Sequence, residues 1–377
     1  MDSLYSVKTL GEVMQDLKAL PYNPKPLGGR ISTMLGLAPD LLPMLLDSRK
    51  KTAGHLYPYP RYFRSIVFPS LDGTPLSGKL ALHGDGVARP GLVFCHGIFG
   101  SKNQTYVRNV AIKAFKDWDY NVLAMDLRSF GESQRMSKAL MTHGWKEAED
   151  IIGAARLLGS FSEVTTVGVC AYSLGGGSAI IAAAHDEGEY ITGGVMAWSG
   201  FADERFMVAQ GDETPLPWDP FFLTYPVFRT CLKLKNRDAS EGGVRIRGLK
   251  ELISYACNAY YHVPEEDLSD RSSPMNYVSE IRIPTVHVHA EDDPIIPVLE
   301  AEKNIHAAKD NPNFDVWILK RGGHCTFAMV DKVWYEQVLQ SFFKVWAFRP
   351  YENGVSETPL MLVEPTGLEP VTSTMPR

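Results

Sequence analysis

The chain has 377 residues, more than the roughly 250–300 that one hydrophobic core usually serves, which predicts one large domain carrying an insertion, or two domains. Hydrophobic residues at 45% and charged residues at 22% exclude wholesale disorder and a fibrous chain. With 38 Lys and Arg against 44 Asp and Glu, a net charge of −6 and no basic block, nucleic acid is not an expected partner.

The five cysteines (Cys95, Cys170, Cys231, Cys257 and Cys325) are odd in number and widely spread. They form neither a secreted disulfide framework nor paired zinc spacing, so reduced thiols are expected. The start, Met1-Asp2-Ser3-Leu4-Tyr5-Ser6-Val7-Lys8, is acidic where a signal peptide is basic, and no apolar core or cleavage site follows it. No run approaches the roughly 18 apolar residues of a membrane span. These features predict a cytoplasmic protein without stable membrane insertion. The apolar turn at residues 41–46 is read as core packing, with contact at a membrane interface as the alternative. The sequence gives no reading of oligomeric state.

In chain order, strands are predicted at residues 62–68, 76–82 and 92–94, then a helix at 107–115, a strand at 122–125 and a helix at 146–158. Apolar runs at 164–170 and 191–197 suit strands in the middle of a sheet covered on both faces. The alternation predicts an α/β fold with a mostly parallel sheet. Between 200 and 283 the pattern breaks into aromatic and Pro-rich sequence, with helices at 226–233 and 249–262, which predicts a mainly helical cap. Alternation resumes with a strand at 284–290, a helix at 298–308, a strand at 314–319 and a last helix at 329–347. The expected organisation is an N-terminal helical extension over 1–59, core over 60–199, cap over 200–283, core over 284–348 and a mobile tail over 349–377.

The chemistry concentrates in Val169-Cys170-Ala171-Tyr172-Ser173-Leu174-Gly175-Gly176, where an apolar strand turns within a few residues into a small-residue helix. Such a nucleophile elbow projects a serine above the sheet, and strand and helix approach closely enough to demand small residues two before and two after it. Ala171 and Gly175 satisfy this, with Ala171 standing where Gly is usual. Serine needs an imidazole as base, and the imidazole needs a carboxylate. The strand at 284–290 runs into Glu291-Asp292-Asp293-Pro294, placing a carboxylate at the carboxyl end of a strand, where ligands of open α/β sheets gather. Asp293 is the expected acid and Asp292 its alternative. After the strand at 314–319, Gly322-Gly323 free the backbone to turn His324 back over the sheet, and His324 is the expected base. The order Ser173, Asp293, His324 is the chain order of an α/β-hydrolase triad. Donors for an oxyanion, worth about 3–4 kcal/mol each, are expected from the N–H of Leu174 and of Ile98, with Phe99 as the alternative to Ile98.

His287 and His289 lie on one face of a strand and could hold a metal with Glu291 or Asp292, but no further ligand set completes a site, and packed histidines are expected instead. Cys325 lacks an elbow and is read as a packing residue. Aromatic residues of the cap, among them Phe221 and Phe228, are expected to fill its core and in part to roof the pocket.

Taken together, His96-Gly97-Ile98-Phe99-Gly100-Ser101, Asp126-Leu127-Arg128-Ser129-Phe130-Gly131-Glu132-Ser133, the elbow and the acid and histidine loops resemble the α/β-hydrolase superfamily over about residues 60–347. Within it, the segment from Pro284 to Pro294 with Gly322-Gly323-His324 looks most like the YheT and abhydrolase-domain carboxylesterases. The resemblance implies hydrolysis of a small-molecule ester by Ser173, Asp293 and His324 without metal or organic cofactor. Acyl transfer, thioester or amide cleavage by the same triad, and a non-catalytic receptor of the same fold, are the alternatives. Ser129 stands where the family usually has Gly.

Overall fold

A computed structural model of the chain describes residues 8–48, 58–223, 225–235 and 248–347. The tail expected over 349–377 lies outside these residues. Three helices, α1 (Leu10–Lys18), α2 (Gly29–Leu37) and α3 (Leu41–Ser48), precede a sheet of eight strands. The strands are β1 (Arg64–Pro69), β2 (Pro75–Ala81), β3 (Arg89–Cys95), β4 (Asn121–Met125), β5 (Val164–Tyr172), β6 (Val195–Trp198), β7 (Thr285–Ala290) and β8 (Phe314–Leu319). Helices α4 (Thr105–Trp118), α5 (Trp145–Gly159) and α6 (Leu174–Asp186) link the strands from β3 to β6. Between β6 and β7 lie α7 (Glu204–Asp212), α8 (Tyr225–Lys235), α9 (Leu249–Tyr255) and α10 (Glu265–Arg271). Helix α11 (Val298–Ala308) follows β7, and α12 (Phe327–Val330) and α13 (Lys332–Trp346) follow β8.

The sheet order is β1-β2-β4-β3-β5-β6-β7-β8, with β2 antiparallel to both neighbours and the rest parallel. The tight turn between β1 and β2 makes the antiparallel pair possible: Gly73 takes φ 83°, and Asp72 Oδ1 accepts the Thr74 N–H at 3.0 Å. Parallel neighbours need longer crossovers, and the helices supply them. Alternate residues of each strand enter opposite cores. Leu92 and Phe94 enter the core shared with α4 and α13, whereas Val93 and Cys95 enter the core shared with α5 and α6.

Two predicted elements are corrected. The strand expected at 191–197 begins only at Val195, because Gly194 has φ 82° and Gly193 packs so closely on β5 that a Cβ there would come within 2.8 Å of Gly168 N. The helix expected at 329–347 is two helices. Asp331 breaks it with φ −148° and ψ 94°, and its carboxylate caps α13 through the Trp334 N–H at 3.1 Å. Helices α7 and α10, in the segment between β6 and β7, are additional to those expected there.

The order β4-β3-β5 places a topological switch point at β3 and β5, since the chain leaves β3 toward one side and reaches β5 on the other. A crevice opens there at the carboxyl ends of the strands. Cys95 pairs with Ala171 at the ends of these strands, so the loop after β3 and the turn after β5 lie side by side.

Candidate active site

The turn after β5 holds Ser173 at φ 56° and ψ −121°, a conformation that L residues rarely adopt. Two backbone bonds fix it: Ser173 N–H donates to Trp198 O at 2.8 Å, and Gly177 N–H donates to Ser173 O at 3.0 Å. The close approach that makes the turn possible is quantitative. A Cβ on Gly175 would fall 2.5 Å from His96 O, and one on Gly97 would fall 2.8 Å from Ser173 Cβ and 3.2 Å from its Oγ. Gly97 therefore keeps open the space over the serine hydroxyl.

His96, beside it, orders the loop after β3. Its Nε2 accepts the Leu127 N–H at 3.1 Å, which leaves Nδ1 protonated to donate to Gly97 O at 2.6 Å. Lys102, at the far end of the loop, is fully buried and bridges Asp126 (2.5 Å) and Glu132 (2.9 Å), with its own N–H donated to Asp126 Oδ1 at 2.7 Å. The loops after β3 and β4 are thus one hydrogen-bonded unit. Ser129, in the second of them, has φ 68°. It takes the left-handed conformation that a glycine would take freely, and its Oγ donates to Ala139 O at 3.2 Å.

The structure brings Ser173, His324 and Asp293 together although β5, β7 and β8 deliver them separately. His324 Nε2 lies 2.9 Å from Ser173 Oγ, and its Nδ1 lies 2.9 Å and 3.2 Å from the two carboxylate oxygens of Asp293. All three are buried, at 7%, 5% and 6% exposure for Ser173, His324 and Asp293. Asp293 Oδ1 also accepts the N–H groups of Ile295 (2.8 Å) and Ile296 (3.0 Å). Asp292, the alternative acid, is turned away from the imidazole and accepts the Gly323 N–H at 2.9 Å. The two adjacent carboxylates divide the work, one meeting His324 and the other holding the turn before it.

Burial disfavours charge on both partners, and their mutual attraction outweighs it. Burial raises the Asp293 carboxyl, but the facing His324 brings it below its ordinary range. Burial likewise lowers His324, but Asp293 lifts it above the ordinary histidine value. The amides of Ile98 and Leu174 make no hydrogen bond to an acceptor among the described residues. Phe99, the alternative to Ile98, has φ 57° and packs its ring edge-on against Phe130 and Phe228.

Two cavities meet at Ser173. The larger, of about 900 Å³ counted out to its mouth, is walled mainly by apolar side chains from α2, α3 and the segment after β6, with His324 and Cys325 at its base. The smaller, of about 470 Å³, runs past Leu174 toward His143, Met207 and Gln210. Phe221 and Phe228 border both. The apolar turn at 41–46 serves packing and cavity together: Met44 is buried, and Leu41 and Met44 line the larger space, while Leu42 faces outward.

Helix α2 is the part of the site that sequence reading missed. Thr33 Oγ1 accepts the backbone N–H of His324 at 2.8 Å. A Cβ on Gly29 would fall 1.6 Å from Asp292 O, and one on Gly323 would fall 2.5 Å from Ser32 Oγ. The acid and histidine loops are held against this helix from outside the sheet. The available signal was the pair Gly28-Gly29 at the start of a helix, but its meaning depends on a partner more than 250 residues away.

His287 and His289 pack ring against ring at 5.4 Å. His289 Nε2–H donates to Ile296 O at 3.0 Å, and His287 Nδ1 accepts from Asn304 at 3.2 Å. Burial lowers both below the ordinary histidine value. Among the described residues, no three His, Cys, Asp or Glu side chains are gathered as a metal site requires. Cys325 borders the larger cavity, its N–H donated to Ser199 Oγ at 3.1 Å and its Sγ 3.8 Å from Trp198 O.

An eight-stranded sheet in this order, with a strained serine after β5 bonded to a histidine after β8, defines an α/β hydrolase. The model of the alpha/beta hydrolase family matches residues 92–334, well over half of the chain, and the chain belongs to that family. Among solved structures, it is similar to the Pyrococcus furiosus esterase Pf2001 at 18% identity and a TM-score of 0.51, covering 78% of this chain and 93% of that one. It is also similar to the Pyrococcus horikoshii acylaminoacyl peptidase at 16% identity and a TM-score of 0.51, covering 78% of this chain but 43% of the peptidase. At these identities the likeness carries the fold alone. Among the described residues, no helix is long and apolar enough to cross a membrane.

Proposed function

We propose that the protein is a serine carboxylesterase in which Ser173, His324 and Asp293 form a catalytic triad, acting on esters with an apolar group. The observation that carries this reading is the unbroken series from Asp293 through His324 Nδ1 and Nε2 to Ser173 Oγ at the floor of an apolar cavity. Ser173 Oγ attacks the ester carbonyl carbon while His324 Nε2 takes its proton. Asp293 holds the Nδ1–H tautomer and stabilises the imidazolium. The N–H groups of Leu174 and Ile98 receive the oxyanion, each contributing about 3–4 kcal/mol to the transition state. As the intermediate collapses, His324 gives its proton to the departing alcohol and the acyl group remains on Ser173. Water, deprotonated by His324, then attacks the acyl carbon, and the acid leaves as the proton returns to Ser173.

In this reading the segment over 200–283 is a cap, supported by the place of Phe221 and Phe228 in both cavity walls. The narrower likeness to the YheT and abhydrolase-domain carboxylesterases belongs to the same proposal. The test is hydrolysis of carboxylic esters beside matched thioesters and amides, with and without an added alcohol acceptor. Preferred ester cleavage with water as acceptor supports the reading; dominant transfer to the added alcohol, or preferred amide cleavage, overturns it.

A further inference from the structure

The two cavities at Ser173 are not equivalent with respect to the proton that the leaving group needs. His324 borders the larger cavity and not the smaller, whereas Leu174 borders the smaller and not the larger. A departing alcohol takes its proton from His324 Nε2, so its oxygen lies on the imidazole side of the serine. The acyl substituent extends away from the imidazole, past Leu174.

The ends of the cavities differ in chemistry as well. In the wall of the smaller one, His143 is 5% exposed, and its Nδ1 and Gln210 Oε1 are buried without a hydrogen-bond partner among the described residues. Burial lowers His143 to about 4, so its ring is neutral at pH 7 and offers either a donor or an acceptor. Buried polar atoms of this kind are ordinarily paired, and a ligand that supplies the partner is preferred to one that does not. Gln104 Oε1, also unpaired, belongs to a residue of the larger cavity, but it packs against Gly100 within the loop after β3.

We infer that the larger cavity takes the alcohol and the smaller takes the acyl group, so that the preferred substrates are esters of a bulky apolar alcohol with a short acid bearing a hydrogen-bonding group. This rests on the esterase reading and adds the orientation and class of the ester. Leu41 borders only the larger cavity and Met207 only the smaller, so filling either one separates the two halves of the substrate.

The experiment measures kcat/KM for butanoyl and dodecanoyl esters of ethanol and of 2-naphthylethanol, with 3-hydroxybutanoyl and 3-methylbutanoyl esters of the latter as a size-matched pair. Naphthylethyl butanoate is expected to exceed ethyl dodecanoate by at least tenfold. Met207→Trp is expected to penalise the longer acyl chain with either alcohol, and Leu41→Trp the naphthylethyl group with either acid. The 3-hydroxybutanoyl ester is expected to exceed the 3-methylbutanoyl ester by about tenfold, a preference that His143→Phe erases. The wild-type comparison decides the orientation even if a variant does not fold. The reverse ranking, or the reverse pattern in the two Trp variants, overturns the inference while leaving the esterase reading intact. Equal rates for the size-matched pair overturn its polar part. Hydrolysis of no ester at all overturns the esterase reading, and this inference with it.

Discussion

Attraction between Asp293 and His324 holds the imidazolium form to higher pH than a free histidine would. In the proposed mechanism only the neutral imidazole accepts the Ser173 proton, so activity is expected to be absent at low pH and to rise as His324 loses its proton. The account predicts that kcat/KM rises with pH through a single ionisation whose midpoint lies above 6.5, and that Asp293→Asn moves this midpoint down while lowering kcat. A midpoint below 6.5 in the natural chain would contradict the electrostatics. Gly97 gives a second test at this scale. A methyl group there would crowd Ser173 at 2.8 Å, so Gly97→Ala is expected to lower kcat about 10- to 100-fold while the protein remains folded, which near-UV circular dichroism checks.

At the scale of elements, the acid and histidine loops sit between the sheet and α2, and their geometry depends on both. Gly29→Ala must move α2 away from Asp292, and a displacement of about 1 Å at the reacting groups costs up to about 10²-fold in rate. Thr33→Val removes the acceptor of the buried His324 N–H and is expected to cost about 1–3 kcal/mol of stability, measured by urea denaturation, together with a fall in kcat. The strand-turn-helix at Ser173 and the alternation of strands and helices were legible because each is written in contiguous residues. The choice between Asp292 and Asp293 was not, because a loop turns either neighbour inward and the selection comes from the Gly323 N–H and the imidazole, both supplied by another loop. The role of α2 was hidden for the same reason. The φ of 68° at Ser129 was signalled only by the resemblance, which puts Gly at this position; nothing in the serine's own side chain demands that conformation.

Across the whole molecule, Arg128 ties three separate stretches of the chain together through one side chain. It is fully buried and donates to Asp150 of α5 (2.6 Å), to Asp72 and Ser70 in the turn between β1 and β2 (2.9 and 3.0 Å), and to Tyr261 in the segment before β7 (3.3 Å). Arg128→Met would strand the buried Asp150 carboxylate, and the expected loss is about 3–5 kcal/mol, read as a lower urea midpoint; an unchanged midpoint would contradict this. The mostly parallel sheet flanked by helices was legible from pattern, but the joining of its parts was not. A buried ion pair of this reach appears in sequence only as one more arginine. The pairing of both cavities at Ser173 was likewise unreadable, since their walls come from separate stretches of chain spread from Met34 to Cys325.

The central claim is that Ser173 is an activated nucleophile, and intact mass after exposure to a fluorophosphonate tests it most directly. The account predicts a single phosphonyl adduct on the natural chain, absent from Ser173→Ala. A natural chain that folds and stays unlabelled, or a Ser173→Ala chain labelled as fully as the natural one, would contradict it.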